Sequence, residues 1–566
     1  MRNAAHSFRA VGAAGARKCR PIPAAASCSR IAAACLAIAC GACAGLGGSP
    51  REPYATLPPG APPARPAAGS TGFRVLDDWR WTRAVESPDL LGAAAGAVEG
   101  GELGVFPARQ FRVATGECED CAASAAALWW FRDELIAVPD RPVGLDEPGP
   151  ALPPVLWLGA PQVVEHASLS DDAKTLTVGT GSIPFVVPSR LPTNAAYADG
   201  STARFFAQRP LTVRGATASA VEGPLFVART IWPEDARLDV EGIGLEPLRG
   251  NEFLGNLIEA QVGAIREPFP ARLLFERNPG APRLWAGKPA IAFVLSGAQG
   301  DDDGARGGHL AIATGLVGRD GEWRNWIANN FYPLAEANAK GIVPASVPLD
   351  NYLLDLNSGQ LYYRPGYMLV AVLRRPRLAL AVQEALQETM LRLYCGAVEF
   401  DLARFNSTAM TIDPLRALGW RIPRTGPTSR IAGIFTAPFA TLARLSLRAG
   451  RNLYATLAQE RTRLLPRVAF EVAGHDLLYL AGGAALESRG ELTAFERMLV
   501  EDVEAILFVH LPQVPSSRRF GTYPVVSLLS YGAALLADPG DFERAPEAGT
   551  RDFPEHLGAS CPGGAR

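Results

Sequence analysis

The chain has 566 residues, too many for one hydrophobic core, and its composition, 48% hydrophobic and 20% charged, is that of ordinary globular protein; two or three domains are expected. The formal net charge is -2, and six basic residues with no acidic neighbour (Arg2, Arg9, Arg17, Lys18, Arg20, Arg30) precede Ile31, so cleavage before Cys40 leaves -2 - 6 = -8. That balance excludes nucleic acid as a partner, because phosphate neutralisation needs a basic face.

The basic segment leads into Ile31–Ala39, an apolar run too short to span a bilayer and of the length of a signal-peptide core. Residues 1–39 therefore read as an export signal. Cys40 and Cys43 follow directly, each after a small residue, and the surrounding Leu-Ala-Ile-Ala-Cys-Gly-Ala-Cys resembles a bacterial lipobox. Ala37 stands where Leu is usual before Cys40, and Cys40 itself holds that place before Cys43. Acylation of one of these cysteines and ordinary cleavage at a small-residue site are both open readings, and both put the mature protein in the periplasm or on a membrane of the cell envelope.

Residues 40–71 are dominated by Pro, Ala and Gly and read as a flexible tether. From 72 to 290 short extended runs such as Thr175–Val178, Ile183–Val187, Leu211–Val213 and Pro224–Ala228 alternate with turn residues, which predicts a β-rich domain. Cys118 and Cys121 have the spacing of half a zinc site, but no second pair or nearby histidines complete it, so a local disulfide is expected in an oxidising compartment. His166 reads as an ordinary surface or core residue. Arg272–Glu276 and Asn278-Pro-Gly predict a strand and a turn.

Residues 291–425 hold the densest run of uncommon residues. His309-Leu-Ala-Ile-Ala-Thr-Gly predicts a buried strand, Arg319-Asp-Gly a hairpin turn, and Trp323 to Phe331 the returning strand. A turn centred near Asp320 sets Asn329 to Phe331 opposite His309, although one residue of register decides which Asn shares its face. An imidazole held by an amide is half of a nucleophilic site; the other half belongs at a helix start, where free amides stabilise developing negative charge. Arg404-Phe-Asn-Ser-Thr-Ala-Met fits, with Ser407 opening a helical run that ends at Gly419. Pro414 allows a different start, with Asp413 as cap and Ser407 left on the preceding loop.

This order, a Gly-His strand, a partner strand with a polar residue, and an Asn-led dipeptide opening a helix about a hundred residues later, resembles the circularly permuted papain-like enzymes. These include NlpC-type peptidase relatives, the lecithin retinol acyltransferase group and bacterial domains with an Asn-Cys-Thr motif. The resemblance covers roughly 291–420 and implies His309 as base, Asn329 or Asn330 as its orienting group, and Asn406-Ser407 at the Asn-nucleophile position. Amides near Thr408 would be the oxyanion donors, and Tyr352, Tyr362, Tyr363 and Arg364 line the cleft or pack in the core. The departure is Ser407 where the family has cysteine, and a hydroxyl needs a well-placed base far more than a thiol does. Three readings follow: a working serine, a degenerate site that binds, or Cys395 in its place, the last disfavoured because 391–400 reads as helix interior.

Asp301-Asp-Asp303 reads as a solvated loop and not as a metal site, and no dinucleotide or phosphate-loop motif is present, so no cofactor is expected. Residues 426–566 turn helical, with apolar spacing over Phe439–Arg448 and Phe495–Val509 and arginines gathered between Arg444 and Arg467 that suit either an anionic surface or a solvated face. His475 and His510 read as structural. The expected class is α+β: a β-rich N-terminal domain, a permuted papain-like α+β central domain and a helical C-terminal region. The expected function is that of an exported envelope hydrolase or acyltransferase acting on an amide or ester of an envelope polymer, peptide or lipid; the alternative is a degenerate lipoprotein scaffold.

Overall fold

The computed structural model describes the backbone of 79–81, 103–107, 112–115, 122–131, 134–139, 156–157, 162–187, 200–259, 271–297, 308–333, 342–354, 366–394 and 398–514, except 208, 221–222, 325, 399–400, 402–403, 484–488 and 512–513. The expectations placed on Cys40, Cys43, Cys118, Cys121, Asp301 to Asp303, Tyr362, Tyr363, Arg364 and Cys395 lie outside these residues. The described part contains both helices and strands and is α+β.

Strands β1 (Trp79–Trp81), β2 (Leu103–Pro107), β3 (Arg112–Thr115), β4 (Ala122–Phe131), β5 (Glu134–Pro139) and β6 (Leu156–Trp157) form an antiparallel sheet in the order β1-β3-β4-β5-β6, with β2 on β4. Next, β7 (Gln162–Leu169), β8 (Thr175–Val178), β9 (Gly181–Val186), β10 (Leu211–Ala220) and β11 (Gly223–Pro233) close into a barrel. The period of two that predicts these strands is visible in β9, where Ile183 and Phe185 point inward and their neighbours are exposed. Helix α1 (Gly200–Ala207) packs on β7.

The larger sheet has seven antiparallel strands: β12 (Ala271–Glu276), β13 (Pro289–Ser296), β14 (His309–Leu316), β15 (Ile327–Pro333), β16 (Ile342–Pro348), β17 (Gly366–Leu373) and β18 (Val503–Leu511), in the order β12-β18-β17-β13-β14-β15-β16. Every residue of β13 and of β17 is buried, because the sheet is covered on both sides. Ala290, Ala292 and Val294 join the core shared with the barrel, whereas Ile291, Phe293 and Leu295 join the core shared with the helices. Small side chains thus face the close-packed barrel and large ones the helical layer, each large one contributing about 1.5–3 kcal/mol by leaving water.

The helices are α2 (Leu254–Glu259), α3 (Leu349–Leu354), α4 (Arg377–Tyr394), α5 (Ser407–Ala417), α6 (Arg430–Arg444), α7 (Leu447–Ala458), α8 (Arg461–Leu464), α9 (Pro466–Ala481) and α10 (Ala494–Asp502). Barrel and sheet are joined by a buried ion pair, Arg214 Nε on β10 to Asp350 Oδ2 on α3 at 2.5 Å, and by edge-to-face contact of Trp232 with Trp323 at 4.9 Å.

Three expectations change. The run Phe495–Val509 is not one helix: α10 ends at Asp502 and β18 begins at once, entering the sheet between β12 and β17. Ile506, Leu507, Phe508 and Val509 are buried on both faces, and such a continuous apolar run has no period to separate strand from helix. The sheet therefore takes β12 from the segment expected to be a separate β-rich domain and β18 from the segment expected to be helical. The run Phe439–Arg448 is broken by Leu445, in the left-handed region at φ 48°, after which Ser446 caps α7 by accepting from Ala449 N.

Candidate functional site

β14 pairs with β13 along its whole length, ending at His309 opposite Ser296. On its other side it pairs with β15 only at Ile312, Ala313 and Thr314. Leu310 and His309 thus lie beyond the end of that second ladder, and α5 packs there against β14. Thr411 Oγ1 lies 3.2 Å from the Leu310 carbonyl oxygen and 2.9 Å from the Ser407 carbonyl oxygen, sharing its one proton between them. The two carbonyl oxygens are therefore at most 6.1 Å apart, the sum of those distances. The first turn of α5 is tied to the residue next to His309.

The helix begins at Ser407 because Asn406 is extended (φ -90°, ψ -177°) and its Oδ1 accepts from Thr408 N and Ala409 N, each at 3.1 Å. Asn406 Nδ2 donates to Leu464 O at 2.9 Å, fixing the cap to the end of α8. Pro414 sits inside α5 and Asp413 does not cap it, so the start at Ser407 replaces the alternative one on Asp413; Asp413 instead pairs with Arg463. No acidic side chain stands in the first turn, which leaves the positive end of the helix dipole at Ser407. Ser407 is half-buried; Thr408 is fully buried, and its Oγ1 has no hydrogen-bond partner among the described residues. The amides near Thr408, expected as oxyanion donors, are taken by Asn406, which the resemblance sets beside the nucleophile and which here is the cap.

His309 is half-buried at the first position of β14, with Nε2 shielded from solvent and its ring 6.1 Å from that of Tyr352 on α3. Gly308 precedes it at φ +82°, where a Cβ would come 2.8 Å from Ser296 O, so only glycine brings the chain this close to β13. Tyr352 is buried and packs in the barrel-side core.

Asn329 is placed elsewhere. Its strand starts at Ile327 and not at Trp323, because Trp323 and Trp326 fold into the core within the connection, and Asn329 pairs with Ile312. Its amide exchanges two hydrogen bonds of 3.0 Å with Gln383 on α4 and donates to Ile312 O at 3.3 Å. Thr314 Oγ1 donates to the same Gln383 Oε1 at 2.7 Å. These contacts put Asn329 on the helical side of the sheet, whereas His309 meets Tyr352 on the barrel side, so the register expectation fails for Asn329. Asn330 is the next position of β15, opposite Ala345 of β16.

An open cleft of about 440 Å³ beside the start of α5 is lined by Arg404, Ala455, Ala458, Gln459 and Arg463. Gln459 Nε2 donates to Arg404 O at 3.3 Å across it. Ion pairing with Asp413 holds the Arg463 guanidinium above its ordinary pKa. Among the described residues no three His, Cys, Asp or Glu side chains gather as metal ligands. Two groups that organise the site escaped sequence reasoning. Thr411 carried a readable signal, a hydroxyl one turn after Ser407; Gln383 carried none, being one more polar residue on a helix.

His166 is an exposed residue at φ 54° whose Nδ1 lies 2.8 Å from Glu234. His475 Nε2 accepts from Leu254 N at 3.1 Å, and His510 stacks on Tyr367 at 5.5 Å. The chain matches no family model, no curated protein and no solved structure.

Proposed function

We propose that the chain is an exported envelope protein whose His309–Ser407 region is a papain-like site of hydrolase or acyltransferase type, acting on an amide or ester bond. The observation that carries the reading is the Thr411 bridge, which ties the first turn of α5 to β14 one residue from His309. In this reading His309 takes the Ser407 hydroxyl proton as the oxygen attacks a carbonyl carbon, and returns it to the leaving group. Asn330 is the orienting group that the resemblance leaves for His309, since Asn329 is held by Gln383 on the helical side of the sheet. Export rests on the basic segment and the short apolar run before Cys40, and attachment to a membrane on the lipobox resemblance.

The test is an activity-based probe on the full chain: a fluorophosphonate for the native protein, and a thiol-directed electrophile for Ser407→Cys, read at position 407 by mass spectrometry. Labelling at 407 that is lost on adding His309→Ala is the expected result. Equal labelling with and without His309 overturns it.

A second reading, a site that binds without turnover, is favoured by one observation: the Thr408 and Ala409 amides are already bonded to Asn406. It predicts no fluorophosphonate labelling of the native serine but His309-dependent labelling of the Ser407→Cys variant.

A further inference from the structure

The α6–α7 hairpin is packed inside out. Its two helices approach closely at two glycines: a Cβ on Gly450 would fall 2.6 Å from Ala437 O, and one on Gly433 3.0 Å from the Tyr454 ring. Large apolar side chains point to solvent instead. Ile431, Ile434, Phe435, Phe439 and Leu442 recur every three to four residues along one face of α6, each 59–71% exposed, and Leu445 at the tip is 92% exposed. Glycines at the close approach of two helices, with large apolar side chains outside, are the arrangement of helices whose surroundings are apolar, and a soluble fold does not leave so long a stripe uncovered without use.

The charge of the hairpin selects among occupants. From Arg430 to Gln459 there is no Asp or Glu, while Arg430, Arg444, Arg448 and Arg451 are all basic. A second copy of the hairpin would set like charges against each other; a phospholipid surface with anionic headgroups satisfies both the apolar stripe and the arginines. The two helices of the hairpin have 15 and 12 residues, short of the roughly 20 a bilayer span needs, and no helix among the described residues is long and apolar enough to cross a membrane.

We infer that the α6–α7 hairpin is an interfacial membrane-docking element that seats its Ile431–Leu442 stripe and the Leu445 tip among the lipids of an anionic bilayer. This stands independently of whether Ser407 is active, and of acylation at Cys40 or Cys43.

The test uses the full chain with Cys40→Ser and Cys43→Ser, so that no acyl chain contributes. Hydrogen–deuterium exchange of peptides from 430–458 is followed with phosphatidylcholine vesicles and with phosphatidylcholine–phosphatidylglycerol vesicles. Exchange in these peptides is expected to slow about tenfold on the anionic vesicles. The slowing is expected to disappear in Phe435→Ser/Phe439→Ser/Leu442→Ser and to weaken in Arg444→Glu/Arg451→Glu. These substitutions alter exposed positions or charge, and unchanged exchange in peptides of β13 and β17 reports that the fold is kept. Exchange in 430–458 that is indifferent to vesicles overturns the inference. So does slowing without vesicles that rises with protein concentration and is lost in the serine variant, since a second copy would then cover the stripe.

Discussion

Thr411→Val removes the hydroxyl that joins α5 to β14 while keeping the shape of the side chain. Thr411 is 1% exposed, so no water replaces the lost proton, and the Leu310 and Ser407 carbonyls lose one shared donor. One buried hydrogen bond exchanged for an unsatisfied acceptor costs about 1–2 kcal/mol. Urea denaturation should show this as a lower midpoint at an unchanged slope. The second readout is positional: in the Ser407→Cys background the labelling rate at 407 should fall about tenfold to a hundredfold, since the helix start is no longer held beside His309. Thr411→Ser keeps the proton and loses a methyl group, which costs about 0.8 kcal/mol. It should be destabilised similarly yet label at the parent rate. If the Val variant is destabilised and labels like the parent, or if the Ser variant labels as slowly as Val, anchoring by this hydroxyl is not what sets the geometry at 407.

Asp350→Ala should destabilise the protein by about 3–5 kcal/mol, because it removes the carboxylate paired with Arg214 at 1% side-chain exposure, whereas Arg214→Met with Asp350→Leu should cost much less; thermal denaturation of the two variants decides it. Burial pushes the His510 pKa down from 6.5 to about 4, so the native state resists a proton that the unfolded chain binds. This contribution is present above pH 6.5 and is lost as pH falls from 6.5 to 4, amounting to about 3 kcal/mol. His475, whose pKa burial also lowers, acts with the same sign. His510→Phe should flatten the stability profile across that window, measured by urea midpoints at a series of pH values.

Much of the local structure was legible in the sequence where one rule dominated. β8, β9 and β12 follow from short alternating runs between turn residues, and the helical run from Ser407 stops where it was expected to, at Gly419, which sits at φ +101°; the Asn406 cap that fixes its start over the Asp413 alternative was not read from the sequence. Legibility stopped where two rules gave the same pattern. Ala505 to Val509 is apolar throughout, so it fits a buried strand and a buried helix equally, and only its place between β12 and β17 settles it. Pairing of His309 with Asn329 failed for a different reason. The connection after β14 is tied down by Trp326, whose Nε1 donates to Leu316 O at 2.7 Å, and by Gly321, which packs against Leu238; β15 therefore begins four residues later than the spacing suggested. The outward stripe on α6 was visible as periodicity, but periodicity does not say which way the face turns; the glycines at 433 and 450 decide it.

The choice between a working and a silent site turns on Asn406, and one substitution separates the two. As the cap it holds the Thr408 and Ala409 amides, the donors a tetrahedral intermediate at Ser407 would draw on. Glycine is also a competent cap, and exchanging Asn for Gly there costs only about a few tenths of a kcal/mol of helix stability, with a further loss from the Leu464 contact. Asn406→Gly therefore frees both amides while leaving α5 formed. If occupied donors are what keep the site quiet, Asn406→Gly should raise fluorophosphonate labelling of Ser407, and the gain should vanish in Asn406→Gly/His309→Ala. A folded Asn406→Gly protein with labelling unchanged or lower would show that the cap is not the obstacle, and that the hydroxyl at 407 lacks a base able to take its proton.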